Sequence, residues 1–440
     1  MDFKKLKEAC NKAGINEIEV YKVESKETSI NTFNQVVDKN EVCFTNELYV
    51  RGVYNSHIAA LKIERDDDSE IDLIVKLLKD NASIIESNDP YFIYEGSDSY
   101  LEVMEDEHDY DEYSLADKIA FCQRLEQFCK DKSEYVMTTQ AQLAVEERRI
   151  SIENSKGLSL KRGNKIAMCG CVAVIRKDND VKQGYFFDVV KNFKDFDFDK
   201  LYKKAVERPL SAIGAASVAS AKYPVVFENS AACSLLSCFL SMVSGEAVIK
   251  KLSLLKDKLN EKVFGDNITI YDDPLYEDAV SKPTFDDEGV ATKKKALIEN
   301  GVLKTFLHNL KTAKMLNTES TGNGFKTGDG NISVSPTNMV VKSTDVSFDE
   351  MIKDIDNGIL ITQMMGQHAG VNAVSGAFNL QSSGYKIENG KITAPITLFI
   401  VSGNIIDLLN NVVNISNDYE RSGKLSCGSM YIKELNISGK

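Results

Sequence analysis

Residues 229–248 read NSAACSLLSCFLSMVSGEAV, and this stretch governs how the C-terminal half of the chain folds. At helical spacing its large apolar side chains fill successive faces, and a helix that is apolar nearly all round is buried. The serines, cysteines and methionine between them are small or adaptable packing residues. The stretch therefore predicts a core helix, whose large side chains are Leu235, Leu236, Phe239, Leu240 and Val243.

The sequence around this helix is rich in strand and turn patterns. IENG occurs twice, at Ile298–Gly301 and Ile387–Gly390, each time between alternating apolar runs. Asn-Gly between such runs is typical of a β-hairpin. We therefore predict an α+β fold, with N-terminal mixed α/β lobes followed by a C-terminal domain of large, mainly antiparallel β-sheets and a buried helix.

Length and composition predict about three domains in the 440 residues. Seven of the eleven side chains at 102–112 are acidic, a composition typical of a solvated connection. A stretch of small residues precedes a predicted strand at 224–227. We predict an N-terminal α/β lobe at 1–100, a middle α/β lobe at 101–215 and a C-terminal β-rich domain at 216–440.

Composition also limits the class of function. A formal charge of −13 repels phosphate backbones, so direct nucleic-acid binding is not expected. The sequence has neither a secretory signal nor an apolar span of ~20 residues, which predicts a cytoplasmic protein without a membrane segment. Nine scattered cysteines do not form a disulfide framework, and most are expected to pack as apolar residues.

No short motif predicts a metal or nucleophile site. The four histidines lie far apart, and none begins the H-E-x-x-H spacing that places two imidazoles on one helix face. Cys238 lies in an apolar run, where burial raises the pKa of a thiol. The acidic run Asp286–Gly289 could bind a cation, but a solvated turn is the commoner structure for it. The glycine-rich segment Thr321–Gly330 is predicted to be a loop.

The order of several motifs resembles the TldD/PmbA proteins over nearly the whole chain. The Met365-Gly366 stretch before Val371–Gly376, and the closing Cys427-Gly428-Ser429, resemble the PmbA branch, also called TldE. The other motifs that carry the resemblance are Asn154-Ser155-x-Gly157, Tyr223-Pro224-Val225-Val226, Asp286-Asp287-Glu288-Gly289-Val290-Ala291-Thr292, Ile298–Leu303, Thr321-Gly322-Asn323 and Ile387–Gly390.

The resemblance implies a metallopeptidase system. TldD-type chains of this family hold a catalytic zinc with two helix histidines and a C-terminal cysteine, and a glutamate acts as general base. In this sequence Ser237 and Met242 stand at the histidine positions, Cys238 stands at the glutamate position, and Cys427 matches the cysteine ligand. One of three ligands remains, so we expect no metal and no catalytic residue in this chain.

The expected role is that of a PmbA-type subunit acting on unfolded or extended peptides, with zinc in a TldD-type partner. It would form a heterodimer with that partner or a homodimer with itself. The candidates for chamber-lining or peptide contact are Gly322, Asn323, Gly366, His368 and Asn372.

Two alternatives remain open from the sequence. The first is a self-sufficient peptidase that uses Cys427 or Cys238 as nucleophile, or an atypical metal site with His308 or His368. The second is a regulatory protein linked to DNA gyrase.

Overall fold

The structure, a computed structural model, describes residues 1–86, 93–103, 108–328 and 330–440. The described chain divides into two units: Met1–Asp98 with Glu102–Gly214, and Ser99–Leu101 with Ala215–Lys440. Both units combine helices with large sheets, which confirms the α+β prediction. Residues 104–107 of the acidic stretch and residue 329 of the glycine-rich segment lie outside the described residues.

Unit 1 is built on a six-stranded antiparallel sheet in the order β3-β2-β1-β4-β5-β6. Its strands are β1 (Glu17–Phe33), β2 (Val36–Tyr54), β3 (His57–Ile63), β4 (Val136–Asn154), β5 (Ser159–Lys177) and β6 (Asp180–Val190). β1 pairs with β4 from Glu19↔Asn154 to Phe33↔Gln140. One sheet thus joins the two lobes that the sequence predicts as separate, because its central pairing links strands from both.

The helices of unit 1 cover this sheet. They are α1 (Phe3–Lys12), α2 (Ile71–Ile84), α3 (Leu115–Lys132), α4 (Phe198–Leu201) and α5 (Arg208–Ser211), with 3-10 turns at Asp68–Glu70 and Phe193–Asp195 and a π-helical turn at Tyr202–Glu207. α3 begins at a capping box formed by Ser114 and Asp117. Its Cys122 and Cys129 pack in the same buried core as Cys169 and Cys171 of β5.

Unit 2 contains most of the short elements of the chain. Its strands are β7 (Ala221–Phe227), β8 (Ile270–Asp272), β9 (Lys295–Glu299), β10 (Val302–Leu303), β11 (Gly324–Lys326), β12 (Ile332–Val334), β13 (Met339–Val341), β14 (Asn357–Met365), β15 (Val371–Asn372), β16 (Ala377–Glu388), β17 (Lys391–Asn404), β18 (Val412–Ile415), β19 (Glu420–Ser422), β20 (Leu425–Cys427) and β21 (Met430–Ser438). Its helices are α6 (Asn229–Ser237), α7 (Gly245–Ile249), α8 (Leu310–Met315), α9 (Phe348–Lys353), α10 (Gln367–Gly370) and α11 (Ile405–Asn410), with a 3-10 turn at Leu240–Val243.

The main sheet of unit 2 closes on itself. The order β14-β7-β21-β17-β16 is completed by a pairing of β16 with β14, while β15 and β18 pair at its margins. A second sheet has the order β10-β9-β8-β13-β20-β19, and β11 pairs with β12. Closure removes the free edges of the main sheet and leaves its apolar side chains in one core with α6.

Both IENG segments form the predicted hairpins. Asn300 and Gly301 join β9 to β10, and Asn389 and Gly390 join β16 to β17. All four residues have positive φ, between 48° and 78°. This is the requirement of a two-residue type I′ turn, which Asn-Gly meets with little strain.

No described helix of the chain has both the length and the apolar character that crossing a membrane requires.

We predict that Gly384→Ala destabilises unit 2 by about 3 kcal/mol, the upper end of the usual cost of overpacking. A Cβ on Gly384 would lie 1.8 Å from the carbonyl oxygen of Leu360, across the β14–β16 pairing that closes the sheet. Urea denaturation followed by far-ultraviolet circular dichroism measures the change. Gly328→Ala is the control, since a Cβ there meets no atom within 4 Å. Equal stability of the two variants would contradict the closed seam.

Candidate functional site

The segment 229–248 forms three short pieces rather than one helix. α6 ends at Ser237, the 3-10 turn Leu240–Val243 follows, and α7 begins at Gly245. Ser237 Oγ donates to the carbonyl oxygen of Ser234 at 2.8 Å, and Cys238 Sγ donates to the same oxygen at 3.4 Å. Such side-chain bonds compete with the backbone hydrogen bonds of an α-helix. The N–H groups of Cys238 and Phe239 accordingly donate to carbonyl oxygens three residues earlier, as in a 3-10 turn. The prediction of one continuous helix is therefore wrong.

The prediction of burial is confirmed for four of the five large apolar side chains of this segment, and Leu240 is only partly buried. Cys233, Leu235 and Phe239 are almost completely inaccessible, and Met242 is 6% exposed. They share one core with strands of the closed sheet. Only part of the surface of Ser234, Ser237 and Cys238 reaches solvent.

A carboxylate anchors the start of α6 to the last strands. Ser429 donates to the two oxygens of Asp418 through its N–H and its Oγ, both at 2.7 Å. The N–H of Asn229 donates to Ser429 Oγ at 3.0 Å, and Asn229 Nδ2 donates to the carbonyl oxygen of Asp418 at 2.7 Å. At Gly428 a Cβ would lie 1.8 Å from the carbonyl oxygen of Ser416, so only glycine fits. The Cys427-Gly428-Ser429 motif thus has a structural role in holding α6.

Cys427 is completely buried beside Cys233. Its Sγ donates to the carbonyl oxygen of Gly428 at 3.1 Å. Burial, followed by the neighbouring Cys233 and Asp418, raises the pKa of the Cys427 thiol well above its ordinary value. The thiolate, which is the form that binds metal or attacks a carbonyl, is therefore strongly disfavoured.

The side chains at the positions implied for zinc ligands do not fit that metal. They supply one hydroxyl hydrogen-bonded to a carbonyl, one buried thioether and one protonated thiol. Zinc prefers thiolate, imidazole and carboxylate donors in tetrahedral arrangement. In the described part of the chain, no three side chains of histidine, cysteine, aspartate or glutamate are grouped to hold a metal ion.

Three of the five peptide-contact candidates lie beside α6 in one short segment, which includes the single turn α10 and the two-residue strand β15. Gly366, His368 and Asn372 are exposed, and Gly366 has a φ of 83°. Gln367 Nε2 in this loop donates to Ser234 Oγ of α6 at 3.0 Å. We call residues 366–376 the α6 loop.

The other two candidates, Gly322 and Asn323, are buried instead. Asn323 Oδ1 accepts from Lys295 Nζ at 3.0 Å and from Thr321 Oγ1 at 2.7 Å. Its Nδ2 donates to Asp272 Oδ2 at 2.8 Å and to the carbonyl oxygen of Ser335 at 3.0 Å. These four bonds use the full capacity of an amide side chain. Asn323 has no polar group left for a peptide, so this placement corrects the expectation.

Sequence reasoning missed the buried ion pair at the centre of this network. Lys295 Nζ lies 2.8 Å from Asp272 Oδ2, and the two side chains are 7% and 0% exposed. Asp272 Oδ1 also accepts from the N–H and hydroxyl of Thr337 at 2.7 Å each. Lys295 ends a run of three lysines, a pattern typical of a solvated surface, so no local signal reveals its burial.

The acidic turn is likewise buried, and the prediction of a solvated turn is wrong. Asp286 Oδ1 accepts from the N–H groups of Glu288 and Val290 at 3.0 Å each, and Oδ2 accepts from that of Gly324 at 2.8 Å. Burial and the neighbouring Glu288 raise the pKa of Asp286 well above its ordinary value. Glu288 Oε2 accepts from the N–H of Leu310 at the start of α8 at 2.8 Å. The cluster binds backbone donors and stabilises the surrounding loops.

His308 is buried, whereas His368 is exposed. His308 Nδ1 lies 3.4 Å from Thr312 Oγ1. A Cβ on Gly245 would lie 2.3 Å from the same ring nitrogen, so the imidazole packs directly against the glycine backbone. Burial lowers the pKa of His308 to about 4. Its imidazole is therefore a neutral packing group.

Two family models match most of the chain. Residues 220–439 match the PmbA/TldA metallopeptidase C-terminal domain, and residues 108–212 match the PmbA/TldA metallopeptidase central domain.

Several curated relatives are called metalloproteases. The chain is 31% identical over 288 residues to the metalloprotease PmbA homolog of Buchnera aphidicola subsp. Acyrthosiphon pisum. The aligned region covers 65% of this chain and 62% of that protein. It is 28% identical over 275 residues to the metalloprotease PmbA of Escherichia coli O157:H7, covering 62% of this chain and 58% of that protein. Each of these matches spans less than two thirds of the relative's length.

Solved structures match over the whole chain. A Thermotoga maritima protein, named for a suggested role as modulator of a DNA gyrase, is 29% identical with a TM-score of 0.90 over 99% of both chains. TldE from Thermococcus kodakarensis is 22% identical with a TM-score of 0.89 over 99% of this chain and 100% of that chain, and it supports the fold alone.

We predict that Asn323→Ala lowers the free energy of unfolding by about 2 to 3 kcal/mol, because the buried Asp272 and Lys295 each lose a hydrogen bond. Asn372→Ala is the matched control. Its Oδ1 accepts from the N–H groups of Val374 and Ser375, at 3.0 Å each, in an exposed turn. Its expected loss is within about 0.5 kcal/mol. Urea denaturation compares the two, and a larger loss for Asn372→Ala would refute the assignment of Asn323 as structural.

We predict that His308 makes unit 2 less stable as the pH falls from 6.5 towards 4. The folded pKa of about 4 lies below the ordinary value of 6.5, so the unfolded chain binds the proton first. The contribution is complete above pH 6.5 and decreases below it, by about 3 kcal/mol in all and by about 2 kcal/mol between pH 7.0 and 5.0. Thermal unfolding at pH 7.0 and 5.0 measures it, with His308→Gln as the variant expected to show a smaller change. An equal change in both proteins would contradict the prediction.

Proposed function

Because the chain belongs to the PmbA/TldD metallopeptidase family, in its PmbA/TldE branch, we propose that it is a non-catalytic subunit of a zinc metallopeptidase. In this proposal a TldD-type partner supplies the zinc and the general base, and this chain contributes part of the chamber that holds unfolded or extended peptides.

One observation carries the proposal: the positions implied for catalysis hold side chains committed to packing. Ser237 and Cys238 bond to the carbonyl of Ser234, and Met242 and Cys427 are buried. These groups are unsuited to activating a water molecule, because none is a general base near neutral pH and together they do not supply the donors that zinc prefers. In this proposal the hydrolytic groups come from another chain.

The α6 loop is the surface that we assign to peptide contact. It presents exposed His368 and Asn372, with Met365 just before it 49% exposed and Val374 52% exposed. Apolar side chains beside polar ones on an exposed loop suit a peptide of varied sequence. Gly322 and Asn323 are left out of this surface because they are buried.

The two alternatives receive less support. A cysteine peptidase needs an accessible thiol of low pKa, whereas burial raises the pKa values of both Cys427 and Cys238. Direct action on DNA is disfavoured by the net charge of −13.

The test is hydrolysis of a fluorescence-quenched unstructured peptide by this chain, by a histidine-bearing TldD-type relative, and by their mixture. We expect no cleavage by this chain alone and chelator-sensitive cleavage by the mixture. Cys238→Ala in this chain should leave the rate of the mixture unchanged, and Cys43→Ala is the exposed control. Cleavage by this chain alone that is lost in Cys238→Ala would refute the proposal.

A further inference from the structure

A lysine, an asparagine and an aspartate meet in one buried cluster of unit 2. Lys295 Nζ lies 2.8 Å from Asp272 Oδ2 and donates to Asn323 Oδ1 at 3.0 Å. Asn323 Nδ2 donates to the same oxygen of Asp272 at 2.8 Å. One carboxylate oxygen therefore contacts both the amine nitrogen and the amide nitrogen. This arrangement suits a reaction in which the amine, a nucleophile when uncharged, displaces the nitrogen of the amide.

The backbone holds all three residues of this cluster in place. Asp272 and Lys295 are opposite partners in the antiparallel pairing of β8 with β9. Asn323 precedes β11, where its N–H donates to the carbonyl oxygen of His308 at 3.3 Å and its carbonyl oxygen accepts from the N–H of Ser335 at 3.0 Å. Reacting groups fixed in this way meet without the entropy cost of a bimolecular encounter.

The amide carbon of Asn323 is within reach of the amine and is polarised. Because a carbonyl bond is about 1.2 Å long and Lys295 Nζ lies 3.0 Å from Asn323 Oδ1, the amine lies within about 4 Å of the amide carbon. Thr321 Oγ1 donates to Asn323 Oδ1 at 2.7 Å. A donor at this oxygen stabilises the negative charge that develops there when an amine attacks the carbon.

Asp272 is placed to carry protons between the two nitrogens. Its Oδ1 is held by the N–H and hydroxyl of Thr337, at 2.7 Å each, and by the N–H of Asn338 at 3.1 Å. These bonds leave Oδ2 facing Lys295 and Asn323, at 2.8 Å from each nitrogen. Burial makes a charged pair costly, which favours transfer of an ammonium proton to the carboxylate and leaves an uncharged amine.

We propose that Lys295 and Asn323 form an intramolecular isopeptide bond, with Asp272 as the catalytic proton carrier. Lys295 Nζ forms a bond to Asn323 Cγ, and the bond between Cγ and Nδ2 breaks. The lysine nitrogen loses two protons through Asp272, and the departing nitrogen takes both and leaves as ammonium. Atoms and charge balance, the carboxylate is regenerated, and no oxidant or other reactant is consumed.

The bond joins β9 to the segment before β11 across 28 residues of sequence. A covalent link of this kind restricts the unfolded chain, as a disulfide does, and stabilises the fold of unit 2. It is a modification of this chain alone and does not depend on the proposed subunit role.

Electrospray mass spectrometry of the denatured full chain, after the folded protein has been incubated at growth temperature, tests the proposal. The chain should be lighter than its sequence by one molecule of ammonia. Lys295→Arg keeps the positive charge but lacks a nucleophilic amine, and should have its full sequence mass. Lys294→Arg is the matched control, because the side chain of Lys294 is 62% exposed and pairs with Asp273 at 2.7 Å, and this variant should keep the deficit. An unsubstituted chain of full sequence mass would overturn the proposal and leave an ordinary buried ion pair.

Digestion of the unsubstituted chain with trypsin locates the bond without relying on the folding of a variant. An isopeptide bond at Lys295 blocks cleavage after this residue and joins peptide 295–304 to peptide 315–326 in one branched product. Asn323 is followed by Gly324, and such a pair can also lose ammonia by forming a succinimide with its own backbone. That product leaves the two peptides separate and persists in Lys295→Arg, so a mass deficit with this behaviour would contradict the proposal.

Discussion

The carboxylate of Asp418 is the constraint on which the arrangement of unit 2 depends. It fixes Ser429 by two bonds of 2.7 Å, and Ser429 in turn accepts from the first N–H of α6. This contact ties the chain after Cys427 to the start of the segment 229–248. Because both segments enter the same core, the position of α6 and the burial of Cys427 are set together.

That burial determines the chemistry open to this chain. A thiol held against Gly428 and beside Cys233 stays protonated, and the hydroxyl and thiol of Ser237 and Cys238 are used by the carbonyl of Ser234. In a family named for metallopeptidases, such a core is the observation behind our proposal of a non-catalytic subunit. The accessible part of the same region is the α6 loop, where Gln367 contacts Ser234.

The sequence predicts what is local, and it misses what depends on distant contacts. The two Asn-Gly hairpins and the capping box at Ser114 follow from neighbouring residues and are confirmed. The end of α6 at Ser237 could not be predicted from the sequence. The spacing of apolar residues carries no information about side chains, such as those of Ser237 and Cys238, that donate to a nearby backbone carbonyl. Asn323 and Asp286 look like loop residues, but Lys295 and Gly324, distant in sequence, bury them. The pairing of β1 with β4 brings together strands separated by about a hundred residues.

The central claim is that the segment 229–248 and Cys427 form a packed core rather than a metal site. Zinc content of the purified chain, measured by inductively coupled plasma mass spectrometry after growth with added zinc, tests it most directly. The account predicts far less than one zinc per chain, and the same low value for Cys427→Ala. Close to one zinc per chain, lost in the Cys427→Ala variant while the fold is retained by circular dichroism, would contradict it.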